Sequence, residues 1–108
     1  MKIEGLNEII KDQIAYCLNV LQIKGDEYAL GDDRLEHFKM AATEQSVTSE
    51  QALWGMLSKH ITSLSSMCKN VKNRTFSREC WLEKITDSIN YLFLLRALIE
   101  EDFTNGQD

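Results

Sequence analysis

Carboxylates are the side chains of this chain best suited to chemistry, and they gather in two places. Residues 24–38 read KGDEYALGDDRLEHF and carry Asp26, Glu27, Asp32, Asp33 and Glu36. Farther on, Glu83, Asp87 and Asn90 stand at i, i+4 and i+7. The same helical stripe starts at Cys80 and continues through Leu94 and Ala97, so it does not face bulk water throughout. Two carboxylates one turn apart repel when both are ionised. A divalent cation removes that repulsion, and hard oxygen ligands suit Mg²⁺ or Mn²⁺. The competing expectation is a solvated first turn, where acids favour the positive helix end. That alternative suits Glu83 better than Asp87.

Whether the first group points inward depends on Gly25. Leu6, Ile10, Ile14, Cys17 and Leu21 recur at helical spacing, which predicts a first helix starting near Leu6. Gly25 ends it on one expectation, leaving all five acids on a solvated loop. On the other, the helix runs on to Ala29, because one internal glycine costs only about 1 kcal/mol against alanine. A step of about 100° per residue then puts Lys24 over Leu6, Tyr28 over Ile10 and Glu27 on the azimuth of Ile9. Asp26 falls on the outer face with Glu8.

His60 sits among Met56, Leu57, Leu64 and Met67 on an apolar helix face. It is expected either as a hydrogen-bonded core histidine or as a group that holds a carboxylate. His37 is expected at the rim. Lys69, Lys72, Arg74 and Arg78 form the densest basic cluster, either solvated on a connector or steering a polyphosphate. No zinc-ligand spacing, Gly-rich phosphate loop or nucleophile elbow is present. Trp54 and Trp81 are expected in buried packing.

The elements that must position these residues are helices. The chain has 108 residues, no proline, five glycines and no alternating strand pattern. A short second helix is expected after Gly31, capped by Asp32 or Asp33. Thr48 and Gln51 have capping-box spacing for a third helix burying Leu53, Met56, Leu57, Ile61, Leu64, Met67, Cys68 and Val71. Ser77 or Thr75 caps a fourth helix reaching about Glu101. Its second half is apolar nearly all round, as in a helix central to its fold or buried between subunits. The expectation is an all-α, four-helix bundle-like domain over 1–102, completed by homodimerisation, with a frayed tail over 103–108.

A net charge of −5 and a pI near 5.0 argue against a duplex nucleic-acid binder. The longest apolar run, YLFLLRALI, is too short to span a membrane. No secretory signal is visible, and three cysteines without a CxxC pair fit reduced thiols, so a cytoplasmic location is expected.

Three segments carry a resemblance: EYA-x3-DRLEHF-x2-AA (Glu27 to Ala42), LWGMLSKHITSL (Leu53 to Leu64) and WLEKITDSINYLFLL (Trp81 to Leu95). Together they resemble a group of small phage and prophage proteins, which would place the chain in a host cytoplasm. The last segment also resembles the ELxDVLxYL helix of MazG-like all-α NTP pyrophosphatases, with Asp87, Tyr91 and Leu92 on its Asp, Tyr and Leu. Lys84 replaces that motif's glutamate, the nearest acid being Glu83, and the superfamily's EExxE motif is absent, with Glu27 its nearest equivalent. The resemblance implies helical hairpins paired into oligomers and Mg²⁺ held by carboxylates from two helices. It also implies water attack on a nucleoside triphosphate or deoxynucleoside triphosphate, giving the monophosphate and pyrophosphate.

On that expectation Glu27 and Asp87 are catalytic, and Glu27, Glu83 and Asp87 hold the metal. Lys24, Tyr28, Lys59, His60, Asn90 and Tyr91 bind substrate. The alternative is a non-enzymatic acidic protein that binds and inhibits a host protein through Asp26, Asp32, Asp33 and Glu36. In a third expectation the inward acids only specify packing.

Overall fold

The computed structural model describes residues 1–28 (the side chains of the last two excepted), 31–73 and 75–106. Four α-helices account for most of them: α1 (Ile3–Tyr28), α2 (Glu36–Gln45), α3 (Ser49–Lys69) and α4 (Arg78–Thr104), with a 3-10 turn at Val71–Asn73. No strand occurs among the described residues. The chain is all-α and bundle-like, as its periodicity predicts.

Local signals set several boundaries. Thr48 accepts a hydrogen bond from the Gln51 backbone, and the Gln51 side chain accepts from the Thr48 backbone, so the capping box forms. Ser77 rather than Thr75 caps α4, accepting from Cys80 N–H at 3.0 Å. Other boundaries differ from expectation. α1 begins at Ile3, not Leu6, and runs through Gly25. α4 extends to Thr104, shortening the tail.

The cap of α2 is Leu35, not Asp32 or Asp33. Asp33 instead closes the preceding turn: its Oδ1 accepts from Leu35 N–H at 2.9 Å. Its Oδ2 meets Lys39 Nζ at 2.6 Å, and Lys39 also reaches Glu101 of α4 at 2.7 Å. The turn, α2 and the end of α4 are thereby tied together.

The core lies between α2, α3 and α4. Leu35, Phe38, Leu53 and Leu98 are buried in it, with Met56, Tyr91, Leu94, Leu95 and Ala97 packed around them. Ile61, Cys68 and Val71 are exposed rather than buried, whereas Met67 near the end of α3 is buried as expected. Trp54 is also exposed, and Trp81 is half-buried.

α1 attaches differently. Gln13, Cys17 and Lys24 meet Thr86, Asn90 and Asp87 of α4 respectively. From Cys17 to Lys24 α1 advances about 10 Å, while its contact on α4 steps back from 90 to 87. The two helices therefore cross instead of running side by side, and the first half of α1 overhangs. Cys17 is fully buried at the crossing, but Leu6, Ile10 and Ile14 remain 46–49% exposed. The expected apolar stripe exists, and nothing among the described residues covers its first half. The accessible surface is 7942 Å², against about 6,200 Å² for a compact monomer of this mass. The radius of gyration is 16.1 Å, against about 13 Å for a compact chain of this length.

Candidate functional site

The crossing of α1 over α4 is polar. Thr86, Asp87, Ser88 and Asn90 are the buried polar residues of the described chain, and all lie in one stretch of α4. Gln13 Nε2 donates to Thr86 Oγ1 at 2.8 Å, and Asn90 Nδ2 donates to the Cys17 carbonyl at 3.2 Å. Ser88 turns back on its own helix, donating to the Lys84 carbonyl. Asn90 Oδ1 is buried and has no hydrogen-bond partner. Such an orphaned acceptor costs on the order of 1–3 kcal/mol.

Beside this crossing lies a half-open cavity of about 260 Å³. α1 contributes Leu21 and Lys24; the turn and α2 contribute Arg34, His37 and Phe38. α4 contributes Asp87, Asn90, Tyr91 and Leu94. The lining thus mixes apolar and aromatic side chains with charged ones. Lys24 Nζ stands 3.3 Å from Asp87 Oδ1. The carboxylate of this pair is almost wholly enclosed, whereas the ammonium is about half exposed.

Lys24, Asp87, Asn90 and Tyr91, all expected at a site, come together here. His60 lies behind Tyr91, with ring centroids 5.2 Å apart. Burial is the chief cause that lowers its pKa, against the opposing charge of Asp87. Its Nδ1 is buried without a partner. His60 thus supports Tyr91 from the core side, closer to the packing expectation than to a ligand. Lys59 and Glu83 are exposed and do not line the cavity, although Glu83 shares a stripe with Asp87. The helical backbone extends through residues 27 and 28, while the side chains of Glu27 and Tyr28 lie outside the described residues. Lys69, Lys72 and Arg78 are exposed on the α3–α4 connection and do not line the cavity; Arg74 is outside the described residues.

Among the described residues, no three His, Cys, Asp or Glu side chains are placed to hold a metal ion. Asp87 is the one described carboxylate of the cavity, and its nearest cation is Lys24. The described residues do not by themselves form a divalent-cation site. One member of the expected acidic surface is also committed elsewhere. The Lys39 ammonium beside Asp33 holds that carboxyl below the usual carboxylate range. Asp26 and Asp32 remain exposed.

Residue typing alone missed Arg34. Its guanidinium crosses α1 where Gly25 has no side chain: a Cβ there would stand 3.0 Å from Arg34 Nε and 3.4 Å from Cδ. A glycine inside a helical pattern is a recognised mark of close approach, and Gly25 carried that signal. Among the described residues no helix is long and apolar enough to cross a membrane. Comparison with known protein families, with characterised proteins and with solved structures gives no match.

Proposed function

We propose that this chain binds a nucleotide in the cavity between α1, α2 and α4. The observation that carries this reading is the cavity's make-up: the cations Lys24 and Arg34, the buried amide of Asn90, and apolar and aromatic residues including Phe38 and Tyr91. The cations suit phosphate, the amide suits a base or sugar edge, and the apolar and aromatic residues suit a planar ring.

The MazG-like resemblance extends the proposal to hydrolysis of the α–β phosphoanhydride by water, releasing monophosphate and pyrophosphate. A Mg²⁺ or Mn²⁺ ion, when bound, would supply charge stabilisation and an activated water. Asp87 is the acid on hand for it, with Glu27 and Glu83 as further candidates. Binding a cation at Asp87 requires Lys24 to move, which a phosphate accepting the ammonium would favour.

Self-association belongs to the same proposal. Surface beyond that of a compact monomer and the uncovered first half of α1 support a second copy packing there. The competing proposal, an inhibitor of a host protein, draws on the exposed acids Asp26 and Asp32 and has no cavity to explain.

Calorimetry against the common nucleoside triphosphates and their deoxy forms with Mg²⁺ tests the reading, alongside a pyrophosphate-release assay. Binding that weakens in Lys24→Met, and release abolished in Asp87→Asn, is the expected result. No heat with any of these nucleotides at millimolar concentration overturns it.

A further inference from the structure

Two polar groups at this cavity lack partners. Arg34 offers five N–H donors, and no carboxylate or other acceptor meets it among the described residues. Asn90, only 6% exposed, presents an acceptor without a donor. Arg34 is not a loose surface side chain. Its two neighbours are anchored: Asp33 through Lys39 and the Leu35 N–H, and Leu35 by burial in the core. Its side chain lies across α1 at the one residue of that turn lacking a Cβ. Lys24, the residue before Gly25, brings a second cation, and Asp87 offsets only one of the two.

We infer that Arg34, laid over Gly25, forms with Lys24 a metal-independent seat for the terminal phosphate of a small aromatic monophosphate. The inference rests on the cavity being a ligand site, as in the proposed function, but it names a different ligand form and needs no metal. A guanidinium fork matches a phosphate's oxygens in two-point fashion. The volume, about 260 Å³, falls below the usual range of about 300–1,000 Å³ for small-molecule pockets. That size suits one phosphate on a compact body better than a metal-chelated triphosphate.

The test is calorimetry on the full chain in EDTA, with AMP, GMP, CMP, UMP, inorganic phosphate and adenosine as probes. At least one monophosphate is expected to bind, and adenosine far more weakly. Arg34→Gln is expected to weaken binding tenfold or more, with Arg34→Lys intermediate. Gly25→Ala should also weaken binding while leaving the melting temperature unchanged or higher, a split that a merely structural role would not produce. It serves as the second variant should Arg34→Gln misfold.

No monophosphate binding in EDTA, or equal binding by wild type and the Arg34 variants, overturns the inference. Binding that appears only with Mg²⁺ and depends on Asp87 but not Arg34 overturns it while leaving the proposed function standing. Metal-free, Arg34-dependent binding without triphosphate binding or cleavage supports the inference and removes that function.

Discussion

Lys24→Met and Asp87→Asn should differ sharply in cost, although they break the same ion pair. The side chains are unequally placed: that of Lys24 is 45% exposed and that of Asp87 only 11%. At 3.3 Å, two unit charges attract by about 5 kcal/mol at an effective dielectric of ~20, and by about 1.3 kcal/mol in water. The half-exposed ammonium places the pair toward the watery end, so we expect Lys24→Met to lose about 1–2 kcal/mol. That variant leaves an enclosed carboxylate uncompensated, which is the costly way to break a pair. Asp87→Asn instead leaves an ammonium that water can reach and an amide that still accepts its hydrogen bond. Its expected cost is below about 0.5 kcal/mol, within the ordinary range for an uncritical substitution. Urea unfolding at neutral pH and matched protein concentration measures both. Equal losses, or a larger loss in Asp87→Asn, would refute the picture of a buried acid held by a surface cation. The same pair tests the metal step. If Mg²⁺ binds at Asp87, Lys24→Met should increase the stabilisation by millimolar Mg²⁺, and Asp87→Asn should abolish it.

Two further outcomes follow from packing and burial. Ile10→Glu, in the middle of the uncovered stripe of α1, should convert a dimer to monomer with little change in the monomer's helicity; sedimentation at micromolar concentration reads this directly. Wild type that sediments as a monomer at 100 µM or above would refute self-association through α1. The pKa of His60 is lowered chiefly by burial, so the unfolded chain binds more protons than the folded one as the pH falls. Its contribution is intact above the ordinary imidazole value of 6.5, and is lost as pH drops through that value toward the lower folded one. Stability measured between pH 7.5 and 5 should therefore fall less in His60→Phe than in wild type, and identical slopes would show that His60 is not the group responsible.

Elements were more legible than their partners. The Thr48–Gln51 box and the Ser77 cap are local, and both form as spacing predicts. So does the continuation of α1 through Gly25, one of two open expectations, since a helix with enough neighbouring turns tolerates one poor residue. Leu6, Ile10 and Ile14 show where that legibility stops. Periodicity marks an apolar face but says nothing of what covers it, and the angled crossing leaves them outside the core. Lys24 stands at the expected cavity, yet its partner Asp87 is 63 residues away, a pairing no local pattern encodes. Arg34 was hidden for a related reason: its position depends on how the 31–35 turn folds back on α1. Asp33 capped no helix because Lys39 and the Leu35 N–H took its oxygens first.

The placement of the polar crossing is itself informative. α4 has apolar side chains to spare: Leu92 and Phe93 stand half exposed, while Thr86, Asp87, Ser88 and Asn90 occupy buried positions a turn earlier. For stability alone this is the wrong way round, since well-packed apolar groups commonly serve as well as or better than a buried pair or an orphaned amide. The conflict is densest in one stretch of one helix, and that stretch borders the cavity holding Lys24 and Arg34. Local pattern and packing agree at the α3 cap and in the Leu53–Leu98 core, and they part again at the exposed Leu6, Ile10 and Ile14 of α1. A conflict of this kind is expected at functional or strained sites, and the proposed ligand reading would account for it. The buried polar stretch of α4 is thus the feature that the proposed ligand reading would explain and that packing alone does not.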